Sequence, residues 1–353
     1  MKNWAHTVHI LAMYDALTES GVDTELLVYP EGVEIPSAAE LRQRYRLKNT
    51  PRISWLPREN KWIARLRLAV ESARIGSRSS FAYTTRALPA LGALLGGSPH
   101  VFLEFHMPIQ ARHDQVAFGL ARHSKRLHII CISGRLAEMI AGQYGLDRSA
   151  IIVEHSGHSL PICYDYRADS ADGRRLRATY VGTVAPGRGI ETILELAKRH
   201  PNVDFLVVGP GRAPENSVPE NVSLRSTIPH SEVPELLSQS DILLMPYTRG
   251  AMLPDGFVGT AEYCSPLKMV EYMAAGRSII SSNLPSIAEV LVDESNCLLV
   301  DPESVEEWSA AMERLEQDPE LRASLARGAA ETAEEHTNIG RAHRMFGRIG
   351  VAE

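Results

Sequence analysis

Short apolar runs alternate with amphipathic stretches of helical period along almost the whole chain of 353 residues. The apolar run at 178–181, for example, precedes a helical pattern at 190–199, and the next apolar run follows at 204–208. Parallel strands need crossover connections that are usually helices, so this alternation favours parallel sheets with helices on both faces. The chain is long enough for two such domains. We therefore predict an α/β fold with two doubly wound Rossmann-like domains facing a cleft, at which ligands bind.

The positions of the individual elements follow from the same runs. Strands are predicted at 25–29, 52–56, 81–85, 101–105, 128–132, 151–154, 178–181, 204–208, 241–245, 278–281 and 297–300. Helices are predicted at 6–20, 61–75, 134–144, 190–199, 232–239, 266–275 and 305–316.

Two features bear on the domain organisation. The polar stretch RADSADGRR at 167–175 has weak periodicity and separates two α/β patterns, which predicts a domain boundary at 165/166. A doubly wound domain normally opens on a strand near the sheet centre, whereas this chain opens on the helical pattern at 6–20. We therefore expect that the first strand of the N-terminal domain is missing, and that Met1 is not the natural start or the chain is truncated.

The charge is unevenly distributed over a chain with a net charge of −6. Residues 1–160 hold 19 basic and 14 acidic side chains, and 11 of the basic ones lie between Arg42 and Arg78 with only two acidic residues. Tyr45, Trp55 and Trp62 are interleaved with them. One interpretation is a solvated helix face; the other is contact with an anionic membrane surface or a phosphorylated acceptor. We see no signature of a nucleic-acid-binding module and expect no nucleic-acid partner.

Cellular location can be predicted from what the chain lacks. No apolar run reaches the ~18 residues that a membrane-spanning helix needs, and the N-terminus does not have the basic-then-apolar order of a signal peptide. The four cysteines are far apart and form no CxxC pair, which argues against a zinc site and a disulfide framework. We expect a cytoplasmic protein, with peripheral association with the inner membrane face as the alternative.

The stretch SPLKMVEYMAAG at 265–276 is a candidate site. We expect Ser265 to cap a helix, Pro266 to occupy its first position and Gly276 to end it. The N–H groups of a helix's first turn bind anions readily, and Lys268 adds a positive charge there. Glu271 follows one turn later and can accept two hydroxyl hydrogen bonds. Such a helix suits a molecule with phosphate at one end and a diol at the other, as in a nucleotide sugar; the alternative is an ordinary surface ion pair.

A second segment agrees with the first. Gly182 and Thr183 end a predicted strand, and APGRG at 185–189 leads into the next helix. Glycines such as Gly187 allow a ligand to approach the backbone closely, and Arg188 can bind phosphate through two hydrogen bonds. Two helix N-termini that each carry one cation would bind a pyrophosphate. The segment does not match GxGxxG, so a dinucleotide site and a Rossmann oxidoreductase are disfavoured.

Several longer stretches resemble one known family. The stretches YVGTVAPGRGIETILELA, VDFLVVGPG, IPHSEVPELLSQSDILLMPY, SPLKMVEYMAAGRSIISSNLPSIAEVL and NCLLVDPES, which together cover about 178–318, resemble the nucleotide-sugar-binding domain of GT-B glycosyltransferases. The resemblance is to the retaining family 4, the glycosyl transferases group 1. In the first half, VFLEFHMP is similar to the strand that ends in this family's sugar-contacting histidine. HIICISGRLAEMI and IIVEHSGH are similar to the last strand–helix units before the linker.

The resemblance implies a domain plan. Residues 1–165 would form an N-terminal, acceptor-side domain that looks truncated at its start, and 166–335 the nucleotide-sugar-binding domain. The tail from about 331 to 348 resembles the segment that crosses back in this fold, so 336–353 would return to the N-terminal domain.

The resemblance also implies roles for individual residues. Arg188 would hold the donor phosphates, Lys268 would neutralise the diphosphate leaving group and Glu271 would bind the ribose. His106 would contact the transferred sugar or the departing phosphate oxygen; the alternative for it is a hydrogen-bonded core histidine. Tyr263 stands where the family's E-x7-E motif has its first glutamate, one residue after Glu262. The implied substrate-binding residues are Gly182, Thr183, Gly187, Gly209, Glu262, Tyr263, Ser265, Pro266, Leu267 and Glu271.

The function implied is that of a retaining, hexosyltransferase-type glycosyltransferase. It would move a sugar from a nucleoside-diphosphate sugar, with uridine or guanosine as the base, to a glycan or lipid-linked acceptor in cell-envelope or exopolysaccharide synthesis. No metal and no other cofactor is expected. The alternatives are a catalytically inactive relative that binds nucleotide sugar and a GT-B-type nucleotide-sugar epimerase.

Overall fold

The computed structural model describes residues 4–29, 35–57, 59–166, 174–185, 187–211, 218–250 and 260–347. It divides the chain into two compact units. Unit 1 comprises Met1–Ser156 and Asn338–Glu353, and unit 2 comprises Gly157–Thr337. The divisions fall at 156/157 and 337/338, where the sequence analysis has 165/166 and 335/336. Within the described residues, no helix is both long and apolar enough to cross a membrane.

Unit 1 is built from short parallel strands connected by helices. The strands form a parallel pair, β1–β2, and a four-stranded parallel sheet in the order β3-β4-β5-β6. The elements are α1 (Trp4–Glu19), β1 (Leu26–Val28), α2 (Ala38–Tyr45), β2 (Ile53–Trp55), α3 (Lys61–Gly76), β3 (Ala82–Thr84), α4 (Ala87–Leu95), β4 (Val101–Phe105), α5 (Arg112–Ala121), β5 (Leu127–Cys131), α6 (Gly134–Tyr144) and β6 (Ile151–Val153).

Local sequence explains several of these helices. Ser37 and Glu40 form a capping box at the start of α2, and the side chains of Asn60 and Ser133 cap α3 and α6. Helix α4 lies directly against α3 because Gly92 and Gly96 have no side chain. A Cβ atom on Gly96 would lie 2.0 Å from the backbone oxygen of Ala73.

Unit 2 contains one six-stranded parallel sheet in the order β12-β11-β10-β7-β8-β9. The chain starts in the middle, extends to one edge and then returns to build the other side, so the order reverses between β7 and β10. Ligands of doubly wound sheets bind at the carboxyl ends of the strands at such a reversal. The elements are β7 (Arg177–Val181), α7 (Ile190–Arg199), β8 (Asp204–Val208), β9 (Val222–Arg225), α8 (Val233–Ser238), β10 (Ile242–Met245), α9 (Leu267–Ala274), β11 (Ser278–Ser282), β12 (Leu298–Val300), α10 (Val305–Gln317) and α11 (Pro319–Glu335).

The start of α9 differs by one residue from the sequence prediction. Pro266 is the N-cap with φ −66° and an extended ψ of 131°, so Ser265 is not the cap and Pro266 is not the first helical residue. The side chain of the N-cap, Pro266, forms no capping hydrogen bond. At the other end Gly276 adopts φ +57°, the left-handed conformation that favours glycine after a helix.

The last helix, α12 (Asn338–Phe346), belongs to unit 1. Its residues Met345 and Phe346 are fully buried and share a hydrophobic core with Met13 of α1 and Phe102 of β4. Helix α12 therefore completes the core of the first unit.

Candidate functional site

Three segments of unit 2 meet at the carboxyl ends of β7 and β10. Lys268 in the first turn of α9 reaches the loop after β7, since a Cβ atom on Gly182 would lie 2.6 Å from its Nζ. Gly189, the N-cap of α7, lies against the backbone after β10, since its Cβ would lie 1.9 Å from the Pro246 oxygen. The site predicted from separate motifs thus falls at the reversal of strand order.

Two tyrosine rings hold the two cations of this site. Lys268 Nζ lies 4.0 Å from the ring centroid of Tyr180 and 4.8 Å from that of Tyr247. The guanidinium carbon of Arg188 lies 5.2 Å from the Tyr247 centroid. The Tyr180 hydroxyl donates to the Thr183 carbonyl at 2.9 Å, which fixes its ring. Cations on aromatic faces are positioned without being neutralised, so both charges stay available to an anion.

The electrostatics of the pair favour an anionic ligand. Burial lowers the pKa of Lys268 well below its usual value, and the neighbouring charge of Arg188 lowers it further. In the described part of the chain, neither cation forms an ion pair with a carboxylate, and Arg188 Nε is buried without a hydrogen-bond partner. Two like charges held close together destabilise the site, although the Glu271 carboxylate offsets part of that cost at Lys268, and a bound diphosphate would relieve the rest.

Glu271 is already engaged by a histidine that the sequence analysis gave no role. His230 Nε2 lies 2.7 Å from Glu271 Oε1, and the Glu271 side chain is 14% exposed. His230 lies just before α8, in the stretch IPHSE that carries the family resemblance, so the signal was present but unassigned. The Tyr272 hydroxyl accepts from the Val181 N–H at 2.8 Å and anchors α9 to the end of β7.

The other predicted residues fall around this centre. Gly209 packs against the β7 loop, where its Cβ would lie 1.9 Å from the Gly182 oxygen. The Gly187 carbonyl accepts from the Thr248 N–H at 3.2 Å. Glu262 is exposed, whereas Tyr263, Ser265 and Pro266 are buried and Leu267 opens α9. Donor contacts by Glu262 and Tyr263 stay a prediction.

His106 lies just after β4 in unit 1. Its Nε2 lies 2.7 Å from Oε1 of Glu104, and 26% of its side chain is exposed. The same oxygen lies 2.8 Å from Nε2 of His9 on α1. His106 thus has the hydrogen bond expected of a core histidine while keeping an exposed edge, and its contact with a sugar stays a prediction. His9 and Glu104 had no role in the sequence analysis.

His9, Glu104 and His106 could also hold a metal ion. Within the described residues they form a group whose ligand atoms all lie within 4.8 Å of one another. The second Glu104 oxygen, however, already accepts from Arg341 at 2.6 Å. A dication beside a fully buried guanidinium would be poorly compensated, so the geometry favours a hydrogen-bonded cluster.

Comparison with known proteins relates this site to a family. Residues 166–332 match the model of the family described as glycosyl transferases group 1. These residues include the whole strand reversal, Arg188, Lys268 and Glu271. The resemblance to glycosyl transferases group 1 that the motifs predicted is therefore confirmed over this part of the chain.

Curated relatives of low sequence identity point to the same class of protein. The chain is 24% identical over 163 residues to the alpha-D-kanosaminyltransferase of Streptomyces kanamyceticus, a match covering 43% of this chain and 39% of that protein. It is 24% identical to the D-inositol 3-phosphate glycosyltransferase of Rhodococcus opacus (strain B4), with 93% of this chain and 73% of that protein covered. It thus spans about two fifths of the first relative and about three quarters of the second. The names of these relatives agree with the enzyme class predicted from the sequence, glycosyltransferase.

Solved structures share the fold. Anabaena Alr3699/HepE in complex with UDP superposes with a TM-score of 0.71 at 14% identity, over 97% of this chain and 95% of that one. The lipopolysaccharide outer core galactosyltransferase WaaB gives 0.70 at 13% identity, over 99% and 98%. These neighbours confirm the predicted fold class: a GT-B glycosyltransferase fold with two Rossmann-like domains.

Proposed function

We propose that this protein is a retaining glycosyltransferase that uses a nucleoside-diphosphate sugar as donor. The observation that carries the proposal is the Arg188–Lys268 pair, which forms no ion pair with a carboxylate of the described residues and lies where the strand order of unit 2 reverses. The structural neighbour Anabaena Alr3699/HepE, at 14% identity, was also solved in complex with UDP-glucose, which supports a donor of the same class here.

Stabilisation of the leaving group is the main chemical task of the site. Negative charge grows on the departing diphosphate as the bond to the sugar breaks, and preorganised cations are most effective where such charge develops. Arg188 and Lys268 supply those cations, and the N-terminus of α9, where the Pro266 side chain forms no capping hydrogen bond, adds N–H donors. In this account the lowered pKa of Lys268 rises when the diphosphate binds, because the anion favours the ammonium form.

Glu271 binds the ribose of the donor. A carboxylate can accept from both hydroxyls of a diol, and His230 uses one of its oxygens in the described structure. His106 contacts the transferred sugar or the departing phosphate oxygen. The acceptor is a glycan or lipid-linked sugar of cell-envelope or exopolysaccharide synthesis, and uridine and guanosine are both candidates for the base.

Thermal stabilisation by nucleoside diphosphates tests the donor site. UDP, GDP, TDP, ADP and NAD are added to the parent, to Lys268→Ala and to a control, Lys198→Ala, which removes an exposed lysine paired with Glu195 on α7. One diphosphate at about 100 times its Kd should raise the melting temperature of the parent and the control by about 5 °C or more. No shift with any of them would contradict the proposal.

Turnover separates the proposal from its alternatives. A transferase releases nucleoside diphosphate only as sugar appears on an acceptor. An epimerase would convert the donor without an acceptor, and an inactive relative would bind nucleotide without turnover. Each outcome is distinguished by following donor, diphosphate and product in one assay.

We also propose that α3 contacts an anionic membrane. Trp62 and Leu66 are 62% and 60% exposed and lie on one face of the helix, and Val70 continues that face. Arg65 stacks over the Trp62 ring at 5.4 Å, whereas Arg67 is already paired with Glu59 at 2.6 Å. Exposed apolar side chains flanked by cations are typical of interfacial helices.

Liposome sedimentation checks this contact. Arg65→Glu and Trp62→Ser should each reduce binding to vesicles with anionic lipid, whereas Arg67→Gln should have the smaller effect because Glu59 already neutralises that arginine. Equal binding by all variants would favour the solvated helix face.

A further inference from the structure

Unit 1 contains a buried carboxylate that accepts from four side chains. Glu104 is fully buried in β4. Its Oε1 faces His9 and His106 at 2.8 and 2.7 Å, and its Oε2 accepts from Tyr83 and Arg341 at 2.7 and 2.6 Å. A carboxylate offers about four lone-pair sites, so this one is saturated.

Arg341 comes from the far end of the chain to reach Glu104. It lies on α12 and is itself fully buried. Its Nε donates to the His155 carbonyl at 2.9 Å, and its Nη2 also donates to the Glu154 carbonyl at 3.3 Å. Burying a guanidinium and a carboxylate together is rarely better for stability than packing apolar side chains. A role beyond stability would explain such a pair.

The surroundings of Glu104, His9 and Tyr83 define the protonation states of these three side chains. Burial alone would raise the pKa of the Glu104 carboxyl, but Arg341 and His9 hold it well below its usual range. Burial lowers the pKa of His9 to about 4, so its imidazole is neutral near pH 7 and donates through Nε2. Burial and Glu104 raise the pKa of Tyr83, which stays a donor. Glu104 can therefore only accept, and His106 must present an N–H to it.

We propose that Glu104 and Arg341 are positioning residues for His106: the carboxylate fixes the tautomer with the proton on Nε2, and the guanidinium from α12 keeps that carboxylate charged and in place. In a neutral imidazole with its proton on Nε2, Nδ1 is an acceptor. His106 can then accept a hydrogen bond from a sugar hydroxyl at that atom. The consequence for catalysis rests on the proposed function, whereas the tautomer does not.

Kinetics of the full chain test the catalytic part. Arg341→Met should lower kcat about 10- to 100-fold, by analogy with the loss of a residue that orients a metal-ligating histidine, with the donor KM within about twofold. Arg341→Lys should recover part of the rate. Arg344→Gln is the matched control, because Arg344 lies on the same helix but pairs with Glu154 at 3.1 Å. It should leave kcat within about twofold.

A double variant tests whether the two residues act together. Glu104→Gln combined with Arg341→Met should lower kcat no more than the worse single variant, because both substitutions disrupt the same support of His106. A loss of kcat in the double variant that equals the product of the two single losses would contradict the proposal. Should Arg341→Met not fold, Tyr83→Phe removes one donor from the same carboxylate oxygen while keeping the ring. It should lower kcat in the same direction by a smaller factor.

Long-range proton–nitrogen spectra of histidine-labelled protein test the tautomer without any turnover. The parent and Arg344→Gln should show His106 protonated on Nε2, and Glu104→Gln should lose that preference. An unchanged His106 signal in Glu104→Gln would overturn the proposal, as would a bound metal ion present in the parent and lost in His9→Gln. A parent that turns over no nucleotide sugar, but whose tautomer follows Glu104, would overturn the proposed function and leave the positioning intact.

Discussion

The two units compensate the charges of their functional side chains in opposite ways. In unit 2 the cations Arg188 and Lys268 lie side by side, and no carboxylate among the described residues forms an ion pair with them. In unit 1 the Glu104 carboxylate is saturated by four donors. The difference indicates function: a charge left without a partner marks where a ligand is expected, whereas a fully compensated buried charge holds another residue in place.

The largest effect is expected when the buried ion pair between Glu104 and Arg341 is broken. Arg341→Met leaves Glu104 as a buried carboxylate without its cation and should lower the free energy of unfolding by about 3–5 kcal/mol. Urea denaturation measures it. Arg344→Gln on the same helix removes a partly exposed pair and should cost at most about 1 kcal/mol; equal costs would show that Arg341 is no better coupled than a surface residue.

Removing the charge of Lys268, which forms no ion pair among the described residues, should spare the fold and damage catalysis. Lys268→Ala should lower kcat by on the order of 100- to 1000-fold, as when one donor to a developing oxyanion is removed. Its melting temperature without ligand should not fall, because the repulsion from Arg188 is relieved. An unchanged rate together with a lower melting temperature would reverse the assignment, and Lys198→Ala serves as the surface control.

Removing His230, the hydrogen-bond partner of Glu271, should weaken donor binding in unit 2. His230→Ala frees Oε1 of Glu271 and removes the contact that orients it. The donor KM should rise about tenfold, the equivalent of one hydrogen bond of about 1.4 kcal/mol, with kcat nearly unchanged. Steady-state kinetics with varied donor measure it, and a fall in kcat at constant KM would place His230 in the chemical step instead.

The charge of Lys268 should also make the stability of the protein depend on pH, which is a smaller effect than the changes in rate and in KM. Since the folded pKa of Lys268 lies well below 10.5, the unfolded chain binds more protons between the two values, and stability rises with pH there. Lys268→Met should therefore be more stable than the parent at neutral pH, with an advantage that shrinks as the pH approaches 10.5. An advantage that does not depend on pH would show that Lys268 is not strained by its charge.

The sequence predicted the fold where burial leaves a clear pattern. Strands β4 and β8 have apolar runs and were placed with the observed bounds, Val101–Phe105 and Asp204–Val208. Strand β9 was missed because three of its four side chains are exposed at the sheet edge, so it has no apolar run. Helix α11 was missed because its alanine-rich sequence has weak amphipathic contrast.

The candidate site was predictable in unit 2 and only partly so in unit 1. Arg188 lies in the glycine-rich turn before α7 and Lys268 in the first turn of α9, so each residue belongs to a local motif typical of an anion-binding helix start. The support of His106 comes from the adjacent Glu104 and from three distant segments, which contribute His9 near the start of the chain, Tyr83, and Arg341 near its end. No spacing rule connects such residues, and Glu104 within an apolar strand gives no indication of its partner.

The most direct test of the central claim compares each nucleoside diphosphate with its monophosphate by titration calorimetry. If Arg188 and Lys268 form a diphosphate site, one diphosphate should bind the parent at least about tenfold more tightly than its monophosphate. This corresponds to a difference of about 1.4 kcal/mol in binding free energy. Lys268→Met should abolish that difference while retaining the weaker binding. Equal affinities in the parent, or a difference that survives in Lys268→Met, would contradict the account.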